Sequence, residues 1–104
     1  MFIAMNRFRI NEGRESEFEE LWAKRESQLD QVPGFQEFQL LRGATGAATS
    51  EGVTTYLSHS LWESRDAFEA WTRSEAFRVA HARAGSSDGV IAGHPVFEGF
   101  EVVL

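Results

Sequence analysis

The chain reads as an α+β domain built on one antiparallel sheet of four strands, with its helices on one face. Three observations predict this. Four segments carry strand patterning, two carry helical patterning, and they follow one another as β-α-β-β-α-β. A chain of 104 residues points to one domain, residues 1–104. Hydrophobic residues at 42% and charged residues at 25% suit a globular chain with a core of its own.

The first strand covers residues 2–10. At period two, Phe2, Ala4, Asn6, Phe8 and Ile10 point one way, so an amide interrupts an apolar row. A primary amide buried without partners costs about 1–3 kcal/mol. Asn6 is therefore either bonded to neighbouring backbone or turned toward something that comes to meet it. Asn11-Glu12-Gly13 makes the turn. RESEFEELWAKRESQLD then has helical periodicity, with Phe18, Leu21, Trp22, Arg25 and Leu29 on one face. Its acids come first and Lys24 and Arg25 later, as the helix dipole favours. Pro33-Gly34 ends it.

FQEFQLLR, residues 35–42, is the second strand. GATGAATSEG is small, polar and Gly-rich, and reads as a loop. VTTYLSHSLW, β-branched and aromatic, is the third strand. Ser64 caps a short helix through Trp71, and Ser74 caps a second over residues 75–84. GSSDGVIAGHP is another loop, and VFEGFEVVL the fourth strand. This order is the ferredoxin-like, split-βαβ arrangement. Its sheet leaves one face uncovered, and the apolar content predicts a homodimer through that face.

Composition also excludes. Without cysteine there is no disulfide scaffold and no thiolate metal site or nucleophile. A net charge of −6 disfavours nucleic acid as a partner. No apolar run approaches the roughly 20 residues of a membrane span. No secretory pattern opens the sequence, and a cytoplasmic protein is expected. His59, His81 and His94 lack the spacing of a multi-ligand zinc site. The carboxylates Glu15, Glu17, Glu19 and Glu20 read as a solvated helix face.

Nine Phe and three Trp suit a core, an apolar interface or a pocket for a flat ligand. His81 falls in the last turn of its helix, beside Phe77, Ala80 and Ala84. That surface is flat enough for a planar ligand with the imidazole at its centre, and one His suffices as an axial haem ligand. Equally, His81 is a half-buried imidazole stabilised by the helix C-terminus. Trp71 is a core residue or a pocket wall. Arg25 is a snorkelling side chain or a carboxylate partner.

The stretch LWESRDAFEAWTRSEAFRVAH carries W-x-S-x-x-A-F-x-x-W, with His ten residues beyond the last Trp. It resembles the antibiotic biosynthesis monooxygenase (ABM) superfamily, and within it the haem-degrading branch of the IsdG and MhuD type. PGFQEFQLLR and FEGFEVVL resemble that branch too. The resemblance implies a dimeric αβ-barrel and a haem-degrading monooxygenase. Haem would be both cofactor and substrate, consumed with O2 and an external electron donor, such as a reductase. It implies His81 as the proximal iron ligand, Trp71 pressing on the porphyrin from the distal side, and Asn6 donating a hydrogen bond near the distal iron ligand. Trp22 would lie near the haem, and Arg25 near its propionates. The same fold hosts cofactor-independent oxygenases of quinols and aromatic substrates, and a non-catalytic haem carrier is a third expectation.

Overall fold

The computed structural model describes residues 1–24, 29–43, 52–75, 77–78 and 90–104. The described elements are β1 (Phe2–Asn11), α1 (Glu15–Ala23), a single 3-10 turn (Leu29–Gln31), β2 (Phe35–Arg42), β3 (Val53–Trp62), α2 (Arg65–Thr72) and β4 (Val96–Glu101). The strands stand in the order β2-β3-β1-β4, every neighbouring pair antiparallel. That is the ferredoxin-like order expected from the sequence, with β2 and β3 at their expected bounds. Residues 75, 77 and 78 are helical, and the rest of the helix expected through residue 84 lies outside the described residues.

Phe2, Ala4, Phe8 and Ile10 are buried, and Asn6 between them is half-buried. On β3 the same face carries Tyr56, Ser58, Ser60 and Trp62, all buried. The two helices cover opposite ends of this face. Under α1, Phe8, Ile10, Phe18, Tyr56 and Val90 form one core cluster. Under α2, Phe2, Ala4 and Trp62 form a second, against Leu29, Phe35, Phe68 and Trp71.

Local chemistry explains the breaks. The Ser64 hydroxyl accepts from the Ala67 N–H at 3.1 Å and caps α2. Ser74 ends one helical stretch and starts the next: its hydroxyl donates to the Trp71 carbonyl and accepts from the Phe77 N–H. Gly34 has φ +86°, and a Cβ there would lie 2.5 Å from the Ala67 Cβ, so only glycine lets the turn before β2 pass under α2.

Three expectations need correcting. Leu21 does not share the buried stripe of α1; it is 39% exposed. The stripe that meets the sheet is Glu15, Phe18, Glu19 and Trp22, spaced i, i+3, i+4, i+7. A helix places apolar and polar side chains on its inner face alike when the sheet offers polar partners. Second, the segment after residue 89 is not simply loop. Val90 is buried, Ile91 bridges to Ile10, and the Asn11 N–H donates to the Val90 carbonyl at 2.9 Å. Third, β4 ends at Glu101, although the Val102 N–H still donates to the Met1 carbonyl.

Candidate functional site

Between the two clusters the sheet presents small and polar side chains. One row across it runs Phe97, Asn6, Ser58, Leu40; the next runs Gly99, Ala4, Ser60, Phe38. Asn6 stands in the middle of the helix-covered face, where the aromatic packing of the two ends is interrupted. Its side-chain amide makes no hydrogen bond among the described residues. Ser60 contrasts with it: its hydroxyl donates to the Ala4 carbonyl and accepts from the Trp62 Nε1–H at 2.9 Å.

Trp71 stands in the last turn of α2, half-buried, tilted against Trp62 at 5.3 Å and met edge-on by Phe77 at 4.8 Å. Trp22, in the last turn of α1, stacks on Phe38 at 5.4 Å and 18°. Phe97 lies nearly parallel to Phe68 and is half exposed. The structure thus brings Asn6, Trp71, Phe77 and Trp22 to the helix side of one sheet. Arg25, Ala80, His81 and Ala84 lie outside the described residues.

A polar trio at the α1 end escaped the sequence reading. The Tyr56 hydroxyl donates to Glu19 Oε2 at 2.5 Å, and Arg42 Nη1 donates to the same oxygen at 2.9 Å. Burial, then the Glu19 carboxylate, pushes the Tyr56 phenol up to about 12. The Tyr56 hydroxyl, followed by Arg42, holds Glu19 below the ordinary carboxylate range. Glu15 is lowered too, by hydrogen bonds from backbone N–H and from Thr54. A cleft of about 290 Å³ opens here, lined by Glu19, Leu40, Arg42 and Tyr56. Glu15 and Glu19 are therefore not merely a solvated face: they tie α1 to β3 and β2. The available signal was their i, i+4 spacing in phase with Phe18 and Trp22.

This trio makes acid stability specific. A carboxylate held low contributes stability above its unfolded pKa of about 4.3 and loses it as pH falls. Glu19→Gln should therefore destabilise the protein at pH 7, with the gap to wild type closing below about pH 4 in urea melts. A gap independent of pH would rule out the carboxylate as the cause.

A four-stranded antiparallel sheet in the order β2-β3-β1-β4 with both helices on one face defines a ferredoxin-like α+β domain. The chain belongs to the antibiotic biosynthesis monooxygenase family, whose sequence profile matches residues 1–83. It is 34% identical over 102 residues to the heme oxygenase (mycobilin-producing) of Mycobacterium tuberculosis, covering 98% of this chain and 89% of that one. Its fold matches the heme-degrader MhuD of Mycobacterium tuberculosis, solved with two hemes in its active site. That match has a TM-score of 0.77 at 33% identity, over 100% of this chain and 97% of the other. SnoaB, a cofactor-independent oxygenase from Streptomyces nogalater, shares the fold at a TM-score of 0.69 and 20% identity, over 99% of this chain and 93% of its own. Among the described residues no group of three or more His, Cys, Asp or Glu could hold a metal ion, and no helix is long and apolar enough to cross a membrane.

Proposed function

We propose that this protein is a haem-degrading monooxygenase, working with O2 and an external electron donor. The reading rests above all on the Asn6 amide. It is half-buried in an otherwise apolar row, has no hydrogen bond among the described residues, and sits where the aromatic packing parts. A flat, apolar macrocycle with a polar centre fits that arrangement: aromatic surfaces meet its faces, and the amide meets what lies at its middle. The relatives at 33–34% identity point the same way.

Bound haem supplies the redox chemistry, and the chain supplies binding and orientation. His81 would hold the haem iron through its imidazole. Asn6 would offer its amide N–H as a donor to the bound haem's polar centre, orienting what binds there. Trp71, backed by Trp62 and Phe77, would supply a packed aromatic wall against one face of the haem. Trp22, with Phe77, Ala80 and Ala84, contributes apolar contact that excludes water, and Arg25 pairs with a propionate.

We propose further that the enzyme is a homodimer. The sheet face away from the helices carries Ile3 and Met5 of β1, Leu57 and Leu61 of β3, Leu41 of β2 and Phe100 of β4. Leu41 and Phe100 are exposed. Burying this apolar row against the same row of a second copy would remove it from water under a twofold axis.

Purified protein titrated with hemin is expected to develop a Soret band at fixed stoichiometry, and to lose it under air once ascorbate is added. Failure to bind would refute the haem reading and leave a cofactor-independent oxygenase; a persistent Soret band would make the protein a haem carrier. In the same assay Asn6→Ala should bind hemin normally but turn over about 10–1000-fold more slowly, the range for losing one oriented donor. Full activity in that variant would remove Asn6 from the chemistry.

A further inference from the structure

Two serines stand two residues apart on the helix-covered face of β3, and their hydroxyls fare differently. Both are buried, Ser58 at 6% exposure and Ser60 at 9%. Ser60 donates to the Ala4 carbonyl and accepts from the Trp62 indole N–H. The Ser58 hydroxyl makes no hydrogen bond among the described residues. A buried hydroxyl left unpaired costs free energy, so a position that keeps one needs a reason other than the fold.

Its place supplies the reason. Ser58 lies directly opposite Asn6 of β1, whose amide likewise has no partner among the described residues. Side chains so paired stand about 4.5–5.5 Å apart at Cβ. Two donors at that spacing can both lie about 2.7–3.2 Å from a single acceptor. The row continues to Phe97 of β4 on one side and Leu40 of β2 on the other, so it holds no other polar side chain to satisfy either. Along β1 the flanking residues of this face are Ala4 and Phe8. Along β3 the Tyr56 hydroxyl is committed to Glu19, and that of Ser60 to Ala4. Asn6 is half-buried where Ser58 is buried, so the pair is reached from the β1 side.

We infer that Ser58 is the second donor of the haem site: its hydroxyl and the Asn6 amide together receive one small acceptor bound at the centre of the macrocycle. This rests on the haem reading above and adds a residue to it. Hydrogen bonds are directional, so two donors fix an acceptor's position where one leaves it free to swing. A serine within a strand carries no signal along the chain; the register that sets it against Asn6 singles it out.

The full chain, with Ser58→Ala and Ser60→Ala beside it, is loaded with hemin and titrated with fluoride, an anion that accepts hydrogen bonds. Ser58→Ala should take up hemin as the wild type does and bind fluoride about 10–100-fold more weakly, the range for one hydrogen bond to a charged group. Ser60→Ala should leave the fluoride affinity unchanged. Urea unfolding without hemin gives a second readout. Ser58→Ala should be at least as stable as the wild type, because it removes an unpaired hydroxyl, whereas Ser60→Ala should lower the midpoint. Normal hemin uptake with the fluoride affinity of Ser58→Ala unchanged, or lowered equally in Ser60→Ala, would overturn the inference and leave the haem reading standing. So would a urea midpoint of Ser58→Ala lowered as far as that of Ser60→Ala. A wild type that takes up no hemin would overturn the haem reading and this inference with it.

Discussion

His81→Ala is expected to weaken hemin binding by more than about 100-fold, with the stoichiometric Soret band lost. Removing an outer partner of a metal ligand typically costs 10–100-fold, and the ligand itself should cost more. The remaining apolar contact would still attract a flat hydrophobic molecule, so weak binding without the spectrum of an imidazole-ligated iron should persist. Free imidazole added to the variant should restore that spectrum in part. Far-UV circular dichroism separates loss of a ligand from loss of the fold. Hemin bound with unchanged affinity and spectrum would refute His81 as the iron ligand.

Trp62→Ala should lower stability by about 3–5 kcal/mol, the usual cost of emptying a large buried aromatic site. Trp62 is fully buried and meets Phe35, Phe68 and Trp71 at centroid distances of 5.3–5.7 Å. Its indole N–H also donates to Ser60, which in turn donates to the Ala4 carbonyl, so the change disturbs β1 as well. In urea the midpoint should fall with little change in slope. Trp62→Phe keeps most of the packing and loses the N–H bond, and should cost about 1 kcal/mol for that bond, plus any cavity left behind. A loss below 1 kcal/mol in Trp62→Ala would show that the α2 cluster is not needed to hold the sheet. Because Trp71 rests on Trp62, the alanine variant should also bind hemin less tightly than its stability alone would explain.

Period-two periodicity is enough to place the strands and helical periodicity to place the starts of both helices, because burial on a sheet or helix face imposes those repeats directly. It does not place the end of the first helix: α1 stops at Ala23 and Leu29–Gln31 form a 3-10 turn, not a continuation to Pro33-Gly34. The period-two row also exposes Asn6: an amide in an apolar row is visible without coordinates. Hydrophobicity alone favours Leu21 for the α1 stripe, yet it is exposed. Periodicity could not say that Glu15 and Glu19 would find Thr54 and Tyr56 waiting across the interface. Val90 and Ile91 read as loop in the sequence because the partner of Ile91 is Ile10, some eighty residues earlier in the chain.

Element type, strand order and the chemical anomaly at Asn6 are local or repeating properties, and those are written along the chain. The separation of the two aromatic clusters, the Glu19–Tyr56–Arg42 trio and the burial of the His59 Nδ1 depend on which strands become neighbours and in what register. A shift of one residue in that register would exchange the two faces of a strand. Asn6 would then face away from the helices and His59 toward them. Long-range pairing, set by the whole core at once, decides which of these side chains meets a ligand and which meets a second copy.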